Sequence, residues 1–283
     1  MKRKHFIVNV VSLVFPINIF ARKNRLRMDN PDSIRLLRHA TLIIEINNKK
    51  LLIDPMLSEK GSLEPVQNCG NEIRFPMVDL PFTRFELNGI LDNIDAIVIS
   101  HLHRDHWDIA AQTLIDKTKT IFCQPNDAET LMTQGFKNIH PIDSKIIWNG
   151  ITIHRTKGQH GEGEIGQKMG HVSGFIFALG EQSIYLAGDT IWCHDVSNAL
   201  STYKPKVTIL NAGGARFLTG GPITMTPNDV VKVYDYFKET KIIAVHMNTV
   251  NHCLDKRSDL KSFLAGKQIS SVLIPEDGES IPI

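Results

Sequence analysis

The 283-residue chain is short of cysteine, poor in aromatics at 7 %, and close to neutral, with a net formal charge of +2. Each shortage excludes something. Cys69, Cys123, Cys193 and Cys253 stand too far apart for a CxxC pair, so no sequence-local dithiol or zinc knuckle exists, and the four are read as reduced thiols. No basic, aromatic-interleaved patch marks a nucleic-acid footprint, and no nucleic-acid partner is expected. The G-x-S-x-G elbow of serine hydrolases is missing. The glycine segment Gly161 to Gly166 (GEGEIG) follows no strong strand and is not read as a nucleotide loop. No low-complexity tract divides the chain. The longest apolar stretch, Phe6 to Phe20, has 15 residues broken by Asn9, Ser12, Pro16 and Asn18, whereas a spanning helix needs about 20.

The near-neutral total conceals an uneven distribution. Seven basic residues and no acidic ones lie in positions 1–28, leaving 25 basic against 30 acidic residues in the rest. Residues 1–32 are therefore read as a basic, apolar leader and 33–283 as the main folded domain. The leader fits three roles: an extension packed on the domain, a secretory signal, or a membrane-surface anchor through residues 1–28. The domain itself is read as cytoplasmic, membrane-associated if the leader anchors it and exported if the leader is a signal. Its oligomeric state is not legible.

Short β-rich runs alternate with amphipathic stretches, the pattern of an α/β domain. Thr41 to Ile46 and Lys50 to Ile53 read as strands joined by Asn47-Asn48. Ala96 to Ile99, Thr120 to Cys123, Val207 to Leu210 and Ile242 to Val245 read as buried strands, and Gly174 to Leu179 with Ser183 to Ala187 as a hairpin. Asp108, Asn126 and Thr226 are expected helix caps, the last leading into Asp229 to Lys238. Gly61 to Gly89 has no strong period and is expected to be a long surface loop of the functional or mobile kind.

Chemistry concentrates after the Ala96 to Ile99 strand. Ser100 to Asp108 (SHLHRDHWD) places His101, His103, Asp105 and His106 within six residues. In an extended strand exit His101 and His103 project to the same side and can grip one ion, while Asp105 and His106 follow on the turn and can face a second. Mixed imidazole and carboxylate donors suit Zn, Mn or Fe.

This segment resembles the His-x-His-x-Asp-His signature of the metallo-β-lactamase-fold hydrolase superfamily, which continues with a distant His, Asp and His. His160 in GQHG, Asp189 in LAGDT and His246 in AVHMN supply them in order. The resemblance implies a four-layer αββα sandwich of two packed mixed sheets with outer helices. It also implies two divalent cations, zinc favoured and manganese or iron open. His101, His103 and His160 would hold one, Asp105, His106 and His246 the other, and Asp189 would bridge. Arg38-His39-Ala40-Thr41 with Asp54-Pro55, Asn211-Ala212-Gly213-Gly214 and Thr226-Pro227-Asn228-Asp229 look like the subgroup of L-ascorbate-6-phosphate lactonases and N-acyl-phosphatidylethanolamine-hydrolysing phospholipase D, with Arg38 in place of the usual Gly.

Two cations about 3.5–4 Å apart lower the pKa of a shared water towards ~7, so a bridging hydroxide is expected to cleave an ester, lactone or phosphodiester bond in a small-molecule or lipid substrate. Asp105 is the candidate catalytic residue, as proton acceptor or purely as ligand. Asp54 is expected to orient a ligand histidine. His39, His171, His194 and His252 are candidates for positions behind the ligands or around the substrate, and Arg216, Lys157 and Lys168 for an anionic substrate group. Trp107 and Trp192 are expected to pack beneath the site. A diiron redox protein or a nuclease on the same fold is the alternative.

Overall fold

A computed structural model describes residues 32–283, and the leader up to residue 31 lies outside the described residues. The first half of the domain runs β1 (Ser33–Arg38), β2 (Thr41–Ile46), β3 (Lys49–Ile53), α1 (Arg84–Asp92), β4 (Ala96–Ile99), α2 (Ile109–Leu114), β5 (Thr120–Cys123), α3 (Ala128–Thr133) and β6 (Asn138–Pro141). The second runs β7 (Lys145–Trp148), β8 (Ile151–Lys157), α4 (Gly163–Met169), β9 (Ser173–Leu179), β10 (Gln182–Leu186), α5 (His194–Tyr203), β11 (Val207–Asn211), α6 (Pro227–Tyr236), β12 (Lys241–Val245), α7 (Arg257–Gly266) and β13 (Ser280–Pro282).

Each half builds one sheet, except that the last strand, β13, returns to pair with β1 of the first. The first has the order β13-β1-β2-β3-β4-β5-β6 and the second β12-β11-β10-β9-β8-β7. Both are mixed: β3 to β6 and β10 to β12 pair in parallel, and the remaining pairs are antiparallel. Strand periodicity decides the layers, because alternate side chains leave opposite faces. Leu42 and Ile44 of β2 meet Phe175 and Phe177 of β9 and Ile184 and Leu186 of β10 in the core between the sheets. Ile43 of β2 points outward to α1, α2 and α3 with Leu87, Ala111 and Leu131. Tyr185 of β10 points outward to Val196 of α5, Val230 of α6 and Leu260 of α7. The result is the expected αββα sandwich of two packed mixed sheets with outer helices.

The structure differs from expectation in four local places. Asn126 does not cap α3; a single 3-10 turn over Pro125–Asp127 precedes the helix, because Pro125 suits a first turn that needs no N–H donor. The last turn expected of α6 is missing, since Phe237 leaves helical geometry at φ −142°. The glycine segment directly follows β8, separated by three residues, and opens α4. Gly61 to Gly89 is irregular only as far as Thr83, whose side chain and that of Glu86 form a reciprocal capping box that starts α1. Its middle is anchored rather than loose: Leu63 and Phe75 form an isolated β-bridge, and Phe75 is buried with Met56, Ala215 and Ile223.

Arg38 has a structural role where a glycine was usual in the resemblance. It is fully buried and donates to the carbonyls of Met56 (2.9 Å), Ser58 (2.8 Å) and Val78 (3.0 Å), tying the chain just before this segment and its later part to β1. Burial lowers its pKa to about 10, still leaving it charged at neutral pH. All four cysteines are free thiols. Among the described residues no helix is long and apolar enough to cross a membrane.

Candidate metal centre

Parallel and doubly reversed strands bring one edge of both sheets together, and the polar residues gather there, at carboxyl ends of strands. His39 follows β1, Asp54 follows β3, and His101 to His106 follow β4. His160 follows β8, Asp189 follows β10, and His246 follows β12. The two sheets are joined at this point, where the His246 N–H donates to the His39 carbonyl at 3.0 Å. His39, Asp54 and His246 all take left-handed backbone, with φ of 61°, 40° and 70°. Such positions cost about 1–3 kcal/mol each and persist where surrounding structure enforces them.

Three groups of donors converge with ligand atoms within 4.8 Å of one another and could hold metal ions: His101, His103 and His160; His101, His106 and Asp189; and His39, Asp105, His106 and His246. Asp189 lies between the sets. Its Oδ2 is 3.1 Å from His106 Nε2, 3.6 Å from His160 Nε2 and 3.9 Å from His101 Nε2, while Oδ1 is 3.3 Å from His246 Nε2. Asp105 Oδ2 is 3.2 Å from His39 Nε2, 3.5 Å from His246 Nε2 and 3.6 Å from His106 Nε2.

The electrostatics fit cations. His101 Nε2 faces His103 Nδ1 at 2.9 Å, and His106 Nε2 faces His246 Nε2 at 3.2 Å. Two ring nitrogens so close need a shared proton or cation between their lone pairs. Burial pushes His101, His103, His160 and His39 down, towards the neutral imidazole that ligates. Burial acts the same way on His106, but Asp189, Asp105 and Asp54 outweigh it and hold this imidazole well above its ordinary value. Burial would raise Asp105 and Asp189, yet the neighbouring imidazoles, His106 foremost, keep both carboxylates well below theirs.

The ring nitrogens turned away from the centre have fixed partners. His106 Nδ1 is 2.9 Å from Asp54 Oδ2, and Asp54 also accepts from the Ser100 N–H and Oγ–H, both at 2.7 Å. Ser100 Oγ is in turn 2.9 Å from His101 Nδ1. His160 Nδ1 donates to the Ile223 carbonyl at 2.6 Å, and Asn211 Nδ2 donates to Asp189 Oδ1 at 2.7 Å. His246 Nδ1 faces Cys253 Sγ at 3.5 Å. The sequence alone assigns none of these partner roles to Ser100, Asn211, Ile223 or Cys253; Ser100 and Asn211 carry a signal, as the first residues of the SHLHRDHWD and NAGG segments.

Above the cluster opens a pocket of about 260 Å³. His103, Asp105, His160 and Asp189 reach it from below, Val66, Phe75, Leu102, Met169, Phe217 and Ile223 form apolar walls, and Arg104 and His252 complete the lining. The Arg104 guanidinium lies 5.2 Å from the Phe75 ring centroid. The other sequence candidates fall elsewhere. His171 and His194 are exposed and outside the cluster and pocket, as are Lys157 and Lys168. A short separation along the chain does not by itself bring a side chain round the end of a strand or helix. Arg216 pairs with Asp255 at 2.6 Å and does not line the pocket. Trp107 packs on Phe136 under α3, and Trp192 on Tyr236.

Comparison with known proteins agrees with this architecture. Residues 49–247 match the β-lactamase superfamily domain. The chain is 38 % identical over 253 residues to UPF0173 protein YddR of Bacillus subtilis (strain 168), covering 88 % of this chain and 98 % of that one. A crystal structure of a possible metal-dependent hydrolase from Veillonella parvula DSM 2008 is similar with a TM-score of 0.86 and 36 % identity, over 90 % of this chain and all of that one. An isothiocyanate hydrolase from Delia radicum gut bacteria is similar with a TM-score of 0.83 and 35 % identity, over 89 % and 99 % of the two chains. The chain belongs to the β-lactamase superfamily and is a metal-dependent hydrolase of the UPF0173 family with the metallo-β-lactamase fold.

Proposed function

We propose that this hydrolase adds water to an electrophilic carbon of a small, uncharged, largely apolar substrate, and that the carbon is that of an isothiocyanate. The observation that carries the reading is a cluster of histidines and carboxylates forming the floor of a compact pocket whose walls are apolar. His101, His103 and His160 would hold one divalent cation, Asp105, His106 and His246 a second, and Asp189 both; the imidazole-rich set favours zinc, with manganese or iron next. Such a pair, when bound, supplies an acidified water and polarises the electrophile.

The chain's own groups supply the rest. Asp105 lines the pocket and accepts the proton of the attacking water, while its Oδ2 is held by the His39 Nε2–H. Apolar walls bind the substrate's organic group and exclude bulk water. For R–N=C=S the water oxygen bonds to carbon, the C–N bond breaks, and both water protons end on nitrogen, giving an amine and carbonyl sulfide. The 35 % identical isothiocyanate hydrolase supports this choice of carbon. An ester or lactone carbonyl offers the same kind of carbon and is the second reading, favoured by the RHAT and DP segments that look like the lactonase subgroup. A phosphodiester or a nucleic acid finds less support, because among the described residues Arg104 is the one Arg or Lys lining the pocket.

The test is a panel run on zinc-loaded and manganese-loaded protein: benzyl isothiocyanate, p-nitrophenyl acetate, a γ-lactone and bis-p-nitrophenyl phosphate. Amine release from the isothiocyanate at a higher kcat/KM than any other turnover is expected. Turnover of the phosphodiester alone overturns the reading.

A further inference from the structure

We propose that His252 is a further catalytic residue, donating a hydrogen bond from Nε2–H to the substrate atom on which negative charge gathers, and that the Cys253 thiol is the positioning residue that sets this orientation. The role deepens the hydrolytic reading above and rests on it for the identity of the substrate atom.

His252 belongs to none of the converging donor groups, yet it is buried and lines the pocket beside His103, Asp105 and Asp189. Its backbone is fixed: its carbonyl accepts from the Arg216 N–H at 3.0 Å, and the next residue, Cys253, forms a β-bridge with Ala215. The Phe217 ring lies on one side with its centroid 6.1 Å away. Among the described residues the imidazole has one hydrogen-bond partner, Cys253 Sγ, at 3.9 Å from Nδ1, and Nε2 has none. Nε2 is not sealed in the interior and belongs to a pocket-lining side chain, so the pocket is where it can donate.

Which nitrogen carries the proton follows from the sulfur. Cys253 Sγ sits between two imidazoles, 3.5 Å from His246 Nδ1 and 3.9 Å from His252 Nδ1. His246 turns Nε2 towards Asp189, Asp105 and His106, so with Nε2 as the ligand atom its Nδ1 bears the proton and donates to sulfur. The thiol then has its own proton to place, and the acceptor beside it is His252 Nδ1. His252 is left with its proton on Nε2, aimed into the pocket. Hydroxide addition to N=C=S or C=O moves an electron pair from the multiple bond onto S, N or O, and a donor already in place favours that charge without any proton changing hands. The chain from ligand imidazole through thiol to pocket imidazole thus couples the donor's orientation to the metal site.

The test has two independent readouts on the zinc-loaded protein. Kinetics with benzyl isothiocyanate and p-nitrophenyl acetate should show His252→Phe losing about 100-fold in kcat, with little change in KM. His252→Gln, which retains an N–H, should recover at least about tenfold of that, and zinc content should match wild type in both. Nitrogen-15 NMR of the imidazoles should show His252 as the Nε2–H tautomer in wild type and Cys253→Ser, with that preference lost in Cys253→Ala. A His252→Phe protein with full zinc content and kcat within twofold of wild type overturns the proposal, as does an Nδ1–H tautomer in wild type. If wild type turns over nothing in the panel, the hydrolytic reading fails by itself, and the tautomer still decides the orientation of His252.

Discussion

Replacing Asp54 by Asn is the sharpest probe of how the protein prepares its metal site, because it removes one charge while preserving shape. Asn also tolerates the left-handed backbone at this position, where φ is 40°. In the wild type one carboxylate accepts three hydrogen bonds, from Ser100 N–H, Ser100 Oγ–H and His106 Nδ1–H. The amide oxygen can keep the Ser100 N–H, but the amide nitrogen then faces His106 Nδ1 and donates to it. The imidazole proton moves to Nε2, the atom that faces Asp189 and His246, and a protonated nitrogen cannot ligate. Losing such an orienting partner costs about 10–100-fold in metal affinity, or about 1.4–2.8 kcal/mol. Competition against a chromophoric chelator should show one zinc equivalent weakened by that factor and the other less affected, since Asp54 reaches His101 only through the Ser100 hydroxyl and does not touch His103 or His160. An Asp54→Asn protein holding all its zinc at wild-type affinity refutes the reasoning.

Further predictions follow from other parts of the molecule. His252 has its pKa lowered by burial from 6.5 to about 4, so on acidification the unfolded chain takes up this proton first and stability is lost from pH 6.5 down to about 4. Urea unfolding of metal-free protein at pH 7 and pH 5 should therefore show His252→Phe about 2 kcal/mol less pH-sensitive than wild type; equal sensitivity would remove the argument. Arg38→Met orphans the carbonyls of Met56, Ser58 and Val78 and should cost about 3 kcal/mol in the same assay, whereas a neutral change would mean the anchoring bonds carry nothing. At Gly213 an added Cβ would strike the His246 carbonyl oxygen and lie 3.0 Å from Cys253 Cβ, so Gly213→Ala should lower thermal stability by about 2 kcal/mol and weaken zinc binding together. If the leader is a membrane-surface anchor, deleting residues 1–28 shifts the protein from the membrane to the soluble fraction; unchanged fractionation rules that role out.

The layers and the donor cluster were legible in the sequence for the same reason. Strands such as Thr41–Ile46 and Ala96–Ile99 are short, β-branched and flanked by polar turns, and the seven proposed ligands stand in or just beyond such runs, where a sheet delivers side chains to one edge. Among the elements that escaped, β7 (KIIW) is only four residues long, with one face exposed and the other half-buried, and the apolar stripe of α1 comes down to Leu87, Ile90 and Leu91, so each offers little pattern to read.

The pocket was illegible for a different reason: its parts are remote in sequence and individually bland. Val66 and Phe75 come from the irregular segment after β3, Met169 from the end of α4, and Phe217 and His252 from loops before α6 and α7. None carries a spacing motif, because nothing local requires one; what joins them is closure over a cluster built by other residues. A metal motif can be read from a few adjacent residues because imidazoles on one strand exit share one ion. A specificity pocket cannot, because its walls are chosen by substrate shape and supplied by whichever loops pass overhead. The contrast explains why metal chemistry could be reached from nine consecutive residues and three distant ligands, while the choice among carbon electrophiles depends on six wall residues from four separate segments.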